Sequence, residues 1–524
     1  MRTIKRIPKF NFKDLFVFEK ANNHQGDVEH GKKIIREFAG VAKEFGIRAA
    51  IKLQFRELDT FIHPAHKGSA NNKHIPRFEQ TRLSEEQFAE LVAEIKSNGM
   101  ISMATPFDEL SVDMLERLDV EVIKIGSCSA SDRPLLERIS KSGKPVICSV
   151  GGLPLADDDI AYRDKEGMVN VDWLNTFFRK RSVDFALMYC VSIYPMPVEY
   201  ANLQKIARMK SRYPDLTVGF STHESPDNTS FIGLAYAMGA RMFEKHIGIA
   251  TDTIKLNAYS ATPEQVRSWL KAYKEARAAC GSGGDVFCAQ EIQDLRSLMR
   301  GTYFSRAIKK DNLIKRSDVF FAIPIDNSQM PSGIFAEGLT ADRDYTEGEA
   351  LPMLLGERKS SHRDIIFNAV NTVIGMLNEA KVAVGEDINV ELSHHYGLDR
   401  FSEIGCILIE YIKDEEYGLK IIAQLPGQWN PEHFHKKKKE TFRILHGELK
   451  IWIEGREFIR RAGETITIHR GKGHSFGTET GCIFEEISTK DWPNDSYYKD
   501  PEIAKLPRDS RKTYLQNWGR YQFD

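Results

Sequence analysis

No long apolar run occurs in this sequence. Although Arg2, Lys5, Arg6 and Lys9 make its start basic, nothing of signal-peptide or membrane-span length follows, so export and membrane insertion are not expected. Charge of one sign is not in excess either. With 73 lysine and arginine residues against 74 aspartate and glutamate, no overall field draws the chain to nucleic acid or lipid, and a small-molecule partner is expected. Cysteine is scarce and scattered, seven residues without a Cys-x-x-Cys pair, which suits a reducing, cytoplasmic setting and argues against a disulfide frame. What is present is the composition of a globular protein, 41% hydrophobic and 28% charged over 524 residues, enough chain for about two to four domains.

From residue 16 to about 280 the chain alternates short apolar runs with amphipathic segments. The runs are Phe16–Glu19, Ala50–Gln54, Ile101–Pro106, Val122–Ser127, Pro145–Ser149, Phe185–Cys190, Thr217–His223 and Arg241–His246. Between them, stretches such as Gly31–Phe45, Ser84–Ser97, Leu135–Lys141, Ala201–Tyr213 and Ser230–Gly239 place apolar residues at helical spacing with Gly or Pro punctuation. Eight such βα units have the size and rhythm of a (β/α)8 TIM barrel, although a doubly wound open sheet would give a similar pattern.

The polar residues favour the barrel, because they recur at the ends of the runs. Glu19 with Asn23 and His24, Lys52 with Gln54, Thr105, Lys124 with Ser127, Ser149, Ser192 with Tyr194, Ser221 with His223, and Glu244 with His246 all close or follow a strand. A lysine inside a strand buried on both faces is costly unless paired, so Lys52 and Lys124 together point to an anionic ligand. Hydroxyls at Thr105, Ser127 and Ser149 would add donors to its oxygens. If the last two strands are neighbours, His223 and His246 emerge side by side at the carboxyl rim, where a divalent metal would bridge them; the plain alternative is a pair of capping or core histidines.

Eight segments in order across residues 15 to 280 resemble the sialic acid (N-acetylneuraminate) synthase family. They are Glu19-Lys-Ala-Asn-Asn-His-Gln-Gly26, Lys52-Leu-Gln54, Thr105-Pro-Phe-Asp108, Lys124-Ile-Gly-Ser127, Lys144-Pro-Val-Ile-Cys-Ser149, Tyr194-Pro195, Gly219-Phe-Ser-Thr-His223 and Glu244-Lys-His246. The resemblance implies a phosphoenolpyruvate-dependent carbon–carbon bond-forming transferase, which condenses phosphoenolpyruvate with an N-acetylmannosamine-type aldose to a nonulosonic acid and phosphate. It implies a divalent metal, manganese or magnesium, on His223 and His246, leaving positions open for Lewis-acid chemistry. It implies Lys52, Thr105, Lys124, Ser127, Ser149, Ser192 and Ser221 as contacts to phosphoenolpyruvate, Glu19 and Tyr194 facing the sugar and reacting centre, and Glu244 orienting groups near the metal.

The sequence also departs from the family pattern. Thr222 stands where the family has an aspartate beside the metal ligand, and Ile254-Lys-Leu256 replaces a Gly-Pro-Asp stretch ahead of Ser260; both changes bear on the choice of sugar. Two insertions, residues 61–81 and 153–171, read as loops over the barrel mouth.

Beyond the Cys280-Gly-Ser-Gly-Gly284 break, Leu295–Leu298 and Phe304–Val319 resemble the small antifreeze-like (SAF) domain of the same family, which reaches into a partner subunit's site. A homodimer is therefore expected. In that family the domain lends an arginine to the sugar's acyl group, but Ile323-Pro324 occupies the place of the family's Arg-Pro, so no arginine is assigned to that role. From Ile388 onward, β-formers and turn residues suggest an all-β unit. His433 and His435 alternate on a strand, and Glu440 and His474 follow with the spacing of the two cupin motifs, a set suited to Mn, Fe, Ni or Zn. Ser393–Leu398, Leu425–Gln428 and Glu485–Thr489 further resemble the cupin-type D-lyxose isomerases, in which a carboxylate, here Glu485 or Glu486, moves a proton between sugar carbons. The alternatives are a bifunctional enzyme whose cupin isomerises or epimerises the sugar, or a sugar-binding cupin without turnover. Lys436–Lys439 reads as a solvated turn. The expected domains are a barrel synthase (1–282), an SAF domain (290–356), a linker or helix (357–387) and a cupin barrel (388–524).

Overall fold

A computed structural model describes residues 10–156, 168–284, 288–355, 361–385, 388–492 and 494–516. The chain divides into two compact units, residues 1–286 and 287–524.

In the first unit the apolar runs become β1 (Leu15–Glu19), β2 (Arg48–Phe55), β3 (Ile101–Pro106), β4 (Val122–Ile125), β5 (Val146–Ser149), β6 (Phe185–Tyr189), β7 (Val218–Thr222) and β8 (Met242–His246). All are parallel, each pairs with the next, and β1 also pairs with β8, so the sheet closes into an eight-stranded barrel. Side chains alternate between inside and outside along each strand. Leu15, Val17, Ala50, Met103, Val122 and Met242 belong to the inner apolar cluster, with Phe12 packed against them, while Phe16, Phe18, Phe220 and Phe243 pack among the helices. Each such burial contributes about 1.5–3 kcal/mol. Gly219 on β7 is where β8 comes closest, since a Cβ there would meet the Met242 carbonyl oxygen at 2.8 Å.

Local chemistry starts and stops the helices. Asp27 accepts from the backbone amides of Glu29 and His30 to begin Val28–Phe45, which ends at Gly46 with φ 60°. Capping boxes begin Glu85–Ser97, through Ser84 and Gln87, and Pro263–Cys280, through Thr262 and Gln265. The insertion at 61–81 is more ordered than the loop expected, because it carries the helix Ile75–Gln80. Much of the insertion at 153–171 lies outside the described residues.

The second unit begins with the helix Ala289–Leu298, and two short antiparallel pairs follow. β9 (Gly301–Phe304) pairs with β11 (Val319–Ala322), and β10 (Leu313–Ile314) with β12 (Leu339–Thr340), around Phe304, Ile314, Val319, Met330, Tyr345 and Leu351. A helix, His362–Glu379, follows. Its stripe of Ile366, Ala369, Val370, Val373 and Leu377, at helical spacing, packs on Val390, Leu392, Ile407 and Ile409. The rest is an eleven-stranded antiparallel sheet. Its strands are β13 (Val390–Ser393), β14 (Cys406–Lys413), β15 (Tyr417–Gln424), β16 (Trp429–His435), β17 (Glu440–Ile453), β18 (Arg456–Arg461), β19 (Thr465–Ile468), β20 (His474–Gly477), β21 (Cys482–Thr489), β22 (Ser496–Tyr498) and β23 (Lys512–Leu515). Of the fold class expected, the TIM-like barrel and the all-β cupin unit are both present; the two short strand pairs at 301–340 fall in the range expected for the SAF domain but do not by themselves identify it. All seven cysteines are free, and among the described residues no helix is long and apolar enough to cross a membrane.

Candidate active site

Above its apolar layers the barrel interior turns polar at the carboxyl end, the face on which such barrels place their chemistry. Lys52 on β2 lies 2.5 Å from Glu19 on β1 and 2.8 Å from Glu244 on β8. Lys124 on β4 lies 3.8 Å from Glu244 and donates to Ser149 Oγ at 2.5 Å. Ser221 Oγ donates to Glu244 Oε1 at 2.9 Å. All six side chains are buried. Burial raises the Glu19 carboxyl, and the Lys52 ammonium only partly offsets it. Burial would raise Glu244 as well, but Lys124 and Lys52 together hold it well below the usual carboxylate range. Two carboxyls around one lysine are thus driven in opposite directions, Glu19 up and Glu244 down.

His223 and His246 stand at the rim with ring centroids 5.4 Å apart. His223 donates from Nδ1 to the Val191 carbonyl at 2.7 Å, which leaves its Nε2 a bare lone pair 3.3 Å from Ser221 Oγ. The His246 Nδ1 is buried without a partner. Burial brings both imidazoles down to about 3, so both are neutral at physiological pH, as a metal ligand must be. The half-exposed Tyr194 lies over His223, with centroids 4.3 Å apart, and Tyr259 packs against Tyr194 and His246 at 5.1 Å each.

Ser127 and Ser192 meet elsewhere on the rim. Around Gly151 a missing side chain leaves a cradle, in which a Cβ would lie 2.8 Å from Ser127 Oγ and Cys190 Sγ and 3.0 Å from Ser192 Oγ. Ser192 is exposed there, and Thr105 is buried beside Gly126. Thr222, by contrast, faces away from this chemistry. Strand alternation turns it outward, fully buried, with its hydroxyl donating to the Glu244 carbonyl at 3.1 Å.

Two arginines not singled out in the sequence also reach the rim. Arg56 continues the Lys52, Gln54 face of β2, and that period of two was its signal. Its guanidinium is clamped between Phe78 at 4.0 Å and Phe107 at 3.6 Å and donates to Gln54 Oε1 at 3.1 Å, while its Nε is buried without a partner. Burial lowers it to about 10. Arg77, beside Phe78 on the helix Ile75–Gln80, donates to Asn23 Oδ1 at 3.4 Å. Nothing in the local pattern marked Arg77 or Tyr259.

In the cupin unit His433, His435, Glu440 and His474 place one ligand atom each within 4.8 Å of one another, and all four are buried. Each histidine turns Nδ1 to a backbone carbonyl: His433 to Pro431 at 2.9 Å, His435 to Asp495 at 2.9 Å and His474 to Lys472 at 3.2 Å. A carbonyl only accepts, so Nδ1 carries the proton and three bare Nε2 atoms converge with a carboxylate. Glu440 Oε1 and His474 Nε2 lie 2.8 Å apart yet lack hydrogen-bond geometry, as expected of two lone pairs aimed at a common third atom. The donor set fits a divalent metal.

Lys438 corrects the expectation of a wholly solvated turn at 436–439. Lys436 and Lys437 are exposed, but the Asp495 carboxylate accepts from the backbone amides of Lys436, Lys437 and Lys438 and folds the turn back. Lys438 is thereby buried, 2.7 Å from Glu440 and 2.8 Å from Glu486. Glu486 is therefore the carboxylate facing the interior, whereas Glu485 is turned the other way and pairs with Arg443 at 2.8 Å. The cavity enclosed has a volume of about 510 Å³.

Two family models match the chain. Residues 39–285 match the NeuB family, and residues 421–484 match the cupin domain. A crystal structure from Chromobacterium violaceum, provisionally named spore coat polysaccharide biosynthesis protein E, is 40% identical, covers 66% of this chain and 100% of its own, and has a TM-score of 0.58. The N,N'-diacetyllegionaminic acid synthase of Campylobacter jejuni is 26% identical over 65% of this chain and 99% of its own length. The N-acetylneuraminate-9-phosphate synthase of Mus musculus is 28% identical over 51% of this chain and 71% of its own.

Proposed function

The chain belongs to the NeuB family, and from that membership we propose that its barrel joins phosphoenolpyruvate to an N-acetylmannosamine-type aldose, a water adding at the carbon that bears the phosphate, so that a nonulosonic acid forms and phosphate leaves. The observation that carries this reading is the pair of buried ammonium groups, Lys52 and Lys124, in one inner layer beneath two neutral histidines. Such a layer suits a compact, multiply charged anion.

In this reading Lys52, Lys124, Thr105, Ser149 and Ser221 meet the carboxylate and phosphate, and the Ser127, Ser192 and Gly151 cradle takes a phosphoryl oxygen. A manganese or magnesium ion on His223 and His246 would polarise the sugar aldehyde as the methylene carbon attacks it. Glu19, whose carboxyl is raised by burial, delivers a proton to the oxygen that develops negative charge. Glu244 stays ionised and keeps both lysines oriented. Tyr194 faces the sugar and narrows the approach of water to the histidine pair. A cytoplasmic homodimer is part of the same proposal.

Phosphate release from phosphoenolpyruvate across a panel of N-acetylated aldoses tests it. Release is expected with at least one aldose, dependent on divalent metal and reduced at least about a thousandfold in His246→Ala. No release with any member of the panel would overturn the proposal.

Glu486, buried beside the three-histidine cluster, favours a second reading in which the cupin also turns over a sugar, isomerising or epimerising it. Incubation of the aldose with metal-loaded protein in deuterated water, without phosphoenolpyruvate, is expected to exchange a carbon-bound proton. The exchange should vanish in His433→Ala and in Glu486→Gln.

A further inference from the structure

The cupin cavity is more cationic than its metal cluster requires. Among its described lining residues are six cations, Lys413, Lys420, Lys438, Arg508, Arg511 and Lys512, against five carboxylates. Four of the cations are already spoken for: Lys413 by Glu410, Lys420 by Asp491, Lys438 by Glu440 and Glu486, and Lys512 by Glu391. Arg508 and Arg511 are left without a carboxylate partner among the described residues, and a divalent metal on the histidine cluster would raise the local positive charge further.

Arg511 is the better placed of the two. Its guanidinium lies 4.8 Å from the Tyr498 ring centroid. Tyr498 in turn stacks on the ligand histidine His433, with centroids 5.4 Å apart and planes 29° from parallel. One aromatic ring therefore separates a half-buried cation from the metal position. Arg511 Nε is buried without a partner, and so is Nδ1 of His395, whose ring lies 5.0 Å from the same tyrosine. An unmet buried guanidinium N–H and an unmet imidazole acceptor, left bare because His395 Nε2 donates to Asn430 Oδ1 at 2.9 Å, are costly on a wall that also carries a metal cluster unless a ligand satisfies them. The cavity is of a volume that small-molecule sites commonly have, well above the needs of an inorganic ion.

We propose that the cupin cavity is a second ligand site of this chain, taking an anionic sugar whose hydroxyl oxygens meet the metal cluster while its carboxylate or phosphate meets Arg511. The proposal rests on reading His433, His435, Glu440 and His474 as metal ligands, and it names the ligand class of that site whether or not the sugar is turned over there.

Calorimetric titration of the manganese-loaded full chain tests it, with His246→Ala introduced to remove a barrel ligand. The probes are mannose, mannose 6-phosphate and N-acetylneuraminate. At least one anionic probe is expected to bind tenfold or more tightly than mannose, the phosphate or the carboxylate taking the lead according to which group the site reads. Arg511→Gln should erase that advantage without changing the manganese content. Arg511→Lys, which keeps the charge but loses the fork, should bind the preferred probe more weakly than the parent, and it carries the test should the glutamine variant fail to fold. Anionic probes no tighter than mannose, or an advantage intact in Arg511→Gln and Arg511→Lys, would overturn the proposal. Phosphate release by the barrel is measured separately in the parent chain, so a failed synthase reading and a failed cupin reading give different results.

Discussion

One ammonium lets two carboxylates share the cupin interior. Glu440 and Glu486 both lean on Lys438, and burial of any one of the three without the others would leave an uncompensated charge. Lys438→Met is therefore expected to destabilise the cupin unit by about 3–5 kcal/mol, the cost of breaking a buried ion pair. Lys436→Met and Lys437→Met, at exposed positions, should stay within about 0.5 kcal/mol. Urea unfolding followed by tryptophan fluorescence separates them, and equal effects at all three positions would contradict the geometry. At this scale the sequence was informative where side-chain type and strand period agreed. His433, His435, Glu440, Lys52 and Glu244 could each be placed on a face by counting residues. Thr222 shows the other side of that rule, since adjacency in sequence to His223 means opposition across the strand. Lys438 lies two residues from Glu440, so the same period was available, but a run of four lysines reads as solvated unless the backbone is known to fold back on Asp495.

At the scale of elements, strands and their glycine gaps position the proposed anion site. The eight runs become eight strands because each is short, apolar and bounded by turn residues, and their ends fall within a few residues of the expected ones. The helix Ile75–Gln80 was not legible, because a six-residue helix inside a polar insertion has no periodicity to detect. Arg77 and the Phe78 clamp on Arg56 went with it. The cradle at Gly151 is likewise a matter of what a backbone leaves empty, which no residue type announces. Gly151→Ala would push a methyl group against Ser127, Cys190 and Ser192. The expected outcome is a rise of about tenfold or more in the KM for phosphoenolpyruvate with a smaller change in kcat, together with a thermal midpoint close to that of the parent. A variant with an unchanged KM would remove the cradle from the phosphoenolpyruvate site.

For the whole molecule, buried neutral histidines set the response to acid. In the metal-free chain, burial holds His24 near about 2 and His223 and His246 near about 3. An unfolded histidine titrates near about 6.5. Above that value neither state binds the proton and pH has no effect through these groups. Below it the unfolded chain takes up protons that the folded one refuses, so stability is lost as pH falls from about 6.5 toward 3, at up to about 1.4 kcal/mol per histidine per pH unit. Urea midpoints of the barrel transition at pH 7 and pH 5 should show this loss, and His24→Asn should make it shallower. A barrel equally stable at both values would show that these rings take up protons while folded. The broad plan, βα repeats followed by a β-rich third, was readable because it depends on averages over many residues.

The closure of the barrel also orders events in time. Glu19 on β1 pairs in register with His246 on β8, so the two ends of the strand series become neighbours only when the ring is complete. A ribosome delivering this chain exposes Glu19 and Lys52 long before Glu244 and His246 exist to meet them. Until then β1 has an open edge and Lys52 lacks one of its two carboxylates. Assembly of the buried charge cluster and completion of the barrel are thus one event, and a nascent chain halted before residue 242 would have seven strands and no such cluster.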